Sequence, residues 1–138
     1  MTERKLVLNA SAVVAWIFRE PGYQVVARAL PYGVLPVANA VEVLARAQER
    51  GWDGSADELL ADIRLMGVQL EPSIEADAVR AAELSAESRK LGIAGGWGIS
   101  LGDALCLAVA ERLGLPAVGG DKAWDELTLR VSHRLFRK

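Results

Sequence analysis

A single cysteine, Cys106, and a single histidine, His133, stand among 138 residues. One thiol cannot close an intrachain disulfide. The run Leu105-Cys106-Leu107-Ala108-Val109 around it reads as buried, reduced core in a cytosolic protein. One imidazole excludes zinc sites built from several histidines, and no G-x-S-x-G elbow supports a Ser-His-Asp triad. A basic surplus is also missing: 16 Lys and Arg face 18 Asp and Glu, for a net charge of −2 and a pI near 5.5. That excludes a basic, non-specific nucleic-acid coat, which needs excess cations to displace counterions. It leaves open an enzyme that reaches nucleic acid through metal-bound carboxylates. Aromatics make up only 6%, so Trp16, Phe18, Trp52 and Trp124 are expected in core or interface rather than in a base-stacking ladder. Long apolar runs are absent as well. Leu6 to Phe18 is interrupted by Asn9 and is too short to cross a bilayer, which takes about 20 residues. Its Ala10-Ser11-Ala12 falls inside the run instead of after it, unlike a signal cleavage site. A soluble, cytoplasmic protein without a membrane segment is expected.

What is present is a 51% apolar chain, enough for one buried core. One domain spanning 1–138 is expected. Short apolar runs alternate with helical patterns. Strands are predicted at Lys5–Leu8, Val34–Val37, Val68–Glu71, Ala117–Gly119 and Leu129–Val131. Helices are predicted over Ala10–Arg19, Tyr23–Leu30, Ala40–Arg50 (closed by Gly51), Asp57–Met66, Ile74–Leu91, Leu101–Leu113 and Lys122–Leu127. The long helix from Ile74 is expected to pack by Ala78, Ala82 and Ala86, and Gly92–Gly98 to be a flexible connection. Strands separated by helices give an α/β fold, a three-layer α/β/α sandwich around a central parallel sheet.

Asn9, Glu42, Asp103 and Asp121 each fall at, or in the first turn of, a predicted helix. Capping explains each singly: Asn39-Ala40-Val41-Glu42 and Ser100-Leu101-Gly102-Asp103 have capping-box spacing, and Asn9 and Asp121 are good N-caps. In an open parallel sheet, however, helices that follow strands start at the carboxyl edge, where residues remote in sequence converge. Acidic side chains meeting there repel by about 1 kcal/mol per pair at 4 Å even in water. A hard divalent cation such as Mg²⁺ or Mn²⁺ would relieve that repulsion.

Four motifs in order resemble those of PIN-domain ribonucleases across essentially the whole chain. They are Leu6-Val7-Leu8-Asn9-Ala10-Ser11-Ala12, Ala38-Asn39-Ala40-Val41-Glu42-Val43-Leu44, Ser100-Leu101-Gly102-Asp103-Ala104-Leu105-Cys106-Leu107-Ala108 and Gly120-Asp121-Lys122-Ala123-Trp124. A compact domain of this size is similar to the VapC-type toxins of toxin–antitoxin pairs. The resemblance implies a PIN-like fold and a metal-dependent endoribonuclease. Its Mg²⁺ or Mn²⁺ would be held at the positions of Asn9, Glu42, Asp103 and Asp121, with Ser11 in support. It also implies an RNA substrate, a cognate antitoxin that inserts an arginine into the acidic cleft, and a homodimer.

Three departures bear on the reading. Asn9 stands where the family pattern has Asp, so one carboxylate is missing. An inactivating substitution, a natural silent binding module and a tolerated weak variant all fit. Gly119 stands two residues before Asp121, where many relatives carry a hydroxyl. Gly92–Gly98 lacks the spacing of a phosphate-binding loop, although Trp97 beside it offers a stacking surface. Asp125 is either an extension of the metal shell or a solvated side chain. The basic tail of Arg130, Arg134, Arg137 and Lys138 is by default a solvated end, with RNA phosphates or an acidic partner as the alternative.

Overall fold

The computed structural model describes residues 3–137. Its centre is β1 (Leu6–Leu8), and all three of its residues are buried. Their alternation splits the core in two. Leu6 and Leu8 join a cluster with Val13, Val26, Leu35, Val43, Leu59 and Ile63, whereas Val7 joins Val34, Leu84, Leu107, Ala108 and Trp124 on the opposite face. A strand buried on both faces has no polar side to show. Flanking it are β2 (Gly33–Pro36) and β4 (Ala117–Gly119), then β3 (Gln69–Glu71) and β5 (His133–Leu135) at the edges. The order is β3-β2-β1-β4-β5, and every pairing is parallel. The sandwich is therefore the expected three-layer α/β/α arrangement.

One helical layer contains α1 (Ala10–Ile17), α2 (Tyr23–Ala29), α3 (Val37–Glu49) and α4 (Ala56–Leu65). The other contains α5 (Glu75–Lys90) and α6 (Leu101–Leu113). Helix α4 starts with a complete capping box of Ser55 and Glu58, and α6 ends at Gly114 in the left-handed conformation, each as its residue types dictate. Trp16, Phe18 and Trp52 pack half-buried on the first core cluster. None of the helices among the described residues is long and apolar enough to cross a membrane.

Four expectations need correction. The last strand is His133–Leu135, not Leu129–Val131. The backbone N–H groups of Thr128 and Arg130 donate to the Glu87 and Glu111 carboxylates, so this stretch is diverted from the sheet ladder. Helix α3 begins at Val37, directly after Pro36, and not at Ala40. Glu42 is thus in the second turn, and Asn39 is no cap. Ala78 and Ala82 on α5 are exposed; the buried face is Asp77, Ala81, Leu84 and Ser88. Asp77 and Ser88 lie inside because each is satisfied there, Asp77 by Arg112 at 3.0 Å and Ser88 by the Ile99 N–H at 2.9 Å. Finally, Ile93–Gly96 forms a short 3₁₀ turn with Ala94 and Gly95 at positive φ, where an unstructured connection was expected.

Candidate active site

The carboxyl ends of β1, β2 and β4 deliver three of the four motifs to one edge of the sheet, and α6 supplies the fourth. Asn9 follows β1 as the N-cap of α1 and is 3% exposed. Its Oδ1 accepts from the Ala12 backbone N–H at 3.0 Å and from the Ser11 hydroxyl at 2.9 Å. With the oxygen fixed on a backbone donor, Nδ2 must face the other way, and it donates to Asp103 Oδ1 at 3.3 Å. Asp103 sits in the first turn of α6, its N–H bonded to the Ser100 N-cap at 3.1 Å. Glu42, on α3, pairs with Arg46 one turn later at 2.8 Å. Asp121 follows β4 as the cap of a 3₁₀ turn, Lys122–Glu126, and accepts from the Ala123 N–H at 2.9 Å.

Asn9, Ser11, Glu42, Asp103 and Asp121 all line one cleft of about 420 Å³. Burial holds the Asp103 carboxyl above its ordinary range. The Asn9 bond opposes that shift, while the charges of Glu42 and Asp121 add to it. Burial pushes the Cys106 thiol well up, and the charges of Asp103 and Glu42 add to that shift, so this thiol is inert. The donor set is hard oxygen from carboxylates that destabilise one another, which suits a hard divalent cation. Among the described residues no three Asp, Glu, His or Cys side chains are gathered closely enough to ligate one ion directly. Glu42, Asp103 and Asp121 present oxygens of that kind to the cleft without forming a closed ligand set. Asn9 fits less well, because its oxygen already accepts two hydrogen bonds.

Asp125 does not extend this cluster; it pairs with His133 at 2.8 Å. Trp97 is 86% exposed and lines no part of the cleft. Gly119 is explained by space, since a Cβ there would lie 2.5 Å from the Trp124 ring and 3.0 Å from Asn9 Nδ2. Gly102 is similar: a Cβ would collide with the Glu42 carboxylate.

Several contributors escaped the sequence. Asn39 is fully buried, and its Nδ2 donates to the Gly102 carbonyl at 3.1 Å, tying α3 to the start of α6. Trp124 is fully buried, and its indole N–H favours the charged form of Asp103 without reaching a partner at hydrogen-bond length. Arg46, Ser100, Gly120 and Arg137 complete the lining. Arg46 has a sequence signal in its i,i+4 spacing from Glu42, and Arg137 has one only as part of the basic tail.

A family model described as the PIN domain matches residues 6–128. The chain belongs to the PIN-domain family. Among solved structures this PIN domain is similar to a chain of VapBC2 from Rickettsia felis bound to a promoter DNA fragment. The TM-score is 0.72 at 16% identity, over 94% of this chain and 97% of that one. It is also similar to DNA-bound VapBC from Salmonella typhimurium (TM-score 0.67, 11% identity, 96% and 98% covered). FitAcB from Neisseria gonorrhoeae gives 0.63 and 18%, with 93% and 95% covered. At these identities the likeness is one of fold. No curated protein sequence matches the chain.

Proposed function

We propose that this PIN domain is a VapC-type toxin of a type II toxin–antitoxin pair, a Mg²⁺- or Mn²⁺-dependent endoribonuclease whose activity is weakened by Asn9. The observation that carries the reading is the convergence of Glu42, Asp103 and Asp121 on one cleft at the carboxyl edge of a parallel sheet. Fold neighbours described as toxin–antitoxin structures support the partner assignment. The cytoplasm, a homodimer and an antitoxin that offers an arginine to the acidic cleft complete it.

In this reading Glu42, Asp103 and Asp121 hold the cation. Held there, the cation would supply Lewis acidity toward a bound water and toward the charge on the scissile phosphate. Ser11 holds the Asn9 amide, and Asn9 orients Asp103. Asn9 adds no negative charge and cannot serve as a base. Its presence in place of Asp is expected to lower cleavage by about a hundredfold or more, as when an electrostatic catalytic group is lost.

The test compares the chain, its Asn9→Asp form and an Asp103→Asn control on structured RNA with Mg²⁺ or Mn²⁺. The Asn9→Asp form is expected to cut fastest; if it cuts no better than the control, the catalytic reading fails. One observation favours a second reading, a catalytically silent RNA- or protein-binding module: Asn9 already supplies Asp103 with a donor. Calorimetry that detects no divalent-cation binding by either the chain or its Asn9→Asp form would select it.

A further inference from the structure

The four cations of the basic tail have separate fates. Arg130 lies beside Glu111 and Arg112, Arg134 lies beside Leu6 and Val25, and Lys138 is outside the described residues. Among the described residues of the tail, Arg137 alone reaches the acidic cleft. Its guanidinium lies over Gly120, where a Cβ would come within 2.7 Å of it, and 5.0 Å from the Phe136 ring. Arg46, held to Glu42 at 2.8 Å, lines the same cleft.

A second cavity, of about 340 Å³, adjoins the cleft, and the two share only Ser11, Arg46 and Arg137. These three residues form the neck between them. We infer that this neck is a phosphate subsite that holds an RNA phosphodiester next to the scissile one. The two guanidiniums are a donor-only set suited to phosphate oxygens, while the Ser11 hydroxyl hydrogen is engaged by Asn9 Oδ1. The guanidiniums also exclude a cationic partner side chain from that point. Beyond the neck stand Glu20, paired with Arg50 at 2.7 Å, and Glu49. Arg50 offsets Glu20 there and Glu49 adds a further carboxylate, so the surplus of cation is at the neck and no cationic track extends beyond it. A chain of net charge −2 thereby grips a polyanion with two placed cations instead of a basic surface.

The inference rests on the ribonuclease reading, so its test separates the two. Anisotropy of a labelled, uridine-rich single-stranded RNA is measured with Ca²⁺, its intactness checked on a gel, across a salt series. Arg46→Gln and Arg137→Gln are each expected to weaken binding about tenfold. Each should also flatten the plot of log K against log salt, by no more than the about 0.7 that one phosphate contact contributes on a single strand. Arg64→Gln, an exposed cation of α4 away from both cavities, is expected to leave affinity and slope unchanged. Wild-type affinity and slope in the two cleft variants, or an equal loss in Arg64→Gln, overturns the subsite. If those variants bind normally while the Asn9→Asp form cuts RNA, the subsite alone falls. If no form binds or cuts RNA, the ribonuclease reading falls and the subsite with it.

Discussion

Asn9 Nδ2 meets Asp103 Oδ1 at 3.3 Å although the two residues lie 94 apart in the chain. The direction of that bond is fixed from behind, because Asn9 Oδ1 caps the Ala12 N–H. An aspartate in the same place would keep the cap but turn its second oxygen toward Asp103. Attraction would become repulsion at the spot where Glu42 and Asp121 already raise the Asp103 pKa. In this chain an amide hydrogen does part of the neutralising that the carboxylate cluster needs.

Asn9→Asp is therefore expected to destabilise the metal-free protein by about 2–4 kcal/mol. Roughly 1 kcal/mol is the lost hydrogen bond, and the rest is like-charge repulsion at intermediate dielectric. Saturating Mn²⁺ should restore stability, since a ligand at about 100 times its Kd adds about 2.7 kcal/mol. The native Asn9 chain should respond much less. Thermal unfolding of both forms in EDTA and in Mn²⁺ checks this, and a metal-insensitive Asn9→Asp melt would contradict it.

A second prediction concerns pH and lies away from the cleft. Glu111 on α6 is 3% exposed and is bound by Arg80 at 2.6 Å. Burial alone would raise its pKa, but the bonds from Arg80 and from the Arg130 N–H outweigh it, and the net shift is downward. The unfolded chain then holds a proton on this residue at a pH where the folded chain does not. The stabilisation is complete above the ordinary Glu value of about 4.3 and is lost as pH falls through the lower folded value. Urea midpoints between neutral pH and pH ~3 should fall less steeply in Glu111→Gln. At neutral pH that variant should be weaker by about 1–3 kcal/mol, because Arg80 loses its main carboxylate while keeping Glu83 and the Thr128 carbonyl.

The sheet was legible where composition decides it. Leu6-Val7-Leu8 has no polar face and became the central strand; Gly114 ended α6 in the one backbone region glycine favours. The illegible parts depended on partners remote in sequence. Nothing local distinguishes Leu129–Val131 from a strand, because the Glu87 and Glu111 side chains that capture the Thr128 and Arg130 N–H groups come from α5 and α6, remote in sequence. Asp77 and Ser88 looked like the outside of α5 until Arg112 and Ile99 were placed against them.

The site divides in the same way. Asp103 and Asp121 occupy the helix starts their cap chemistry announced. Glu42 reached the cleft by another route, from the second turn of a helix that Pro36 starts early. Asn39, taken for its cap, turned out to be a buried tie to Gly102. Arg137 was indistinguishable from its neighbours in the tail, since only the fold shows which of them comes back over Gly120.

Ser88 offers a third test, of how α6 is aimed. Its hydroxyl donates to the Ser85 carbonyl at 2.8 Å and accepts from the buried Ile99 N–H at 2.9 Å. Ile99 immediately precedes the Ser100 cap that binds the Asp103 N–H. Ser88→Ala leaves the Ile99 N–H buried and unpaired, a loss of about 1–3 kcal/mol. Amide exchange at Ile99 should accelerate more than exchange in β1. Uniform acceleration across the domain would mean that the bond supports global stability and not this junction.

Gly119 supplies the last test, of whether space or chemistry excludes a side chain beside the cleft. Its backbone does not need glycine, because its φ is not among the positive ones. What it lacks is room: a Cβ would sit 2.5 Å from Trp124 Cη2 and 3.0 Å from Asn9 Nδ2. Trp124 is fully buried and cannot swing into solvent. Gly119→Ser, which adds the hydroxyl that the family resemblance implies at this position, is expected to cost about 1–3 kcal/mol by overpacking. If steric conflict is the cause, shrinking the ring must relieve it. Trp124→Leu alone leaves a cavity and should cost about 3 kcal/mol or more, as for other large-to-small changes. The Gly119→Ser/Trp124→Leu double variant should then cost clearly less than the two single losses together, by about 1 kcal/mol or more of coupling. Strict additivity in urea unfolding would show that Trp124 is not what keeps residue Gly119 bare.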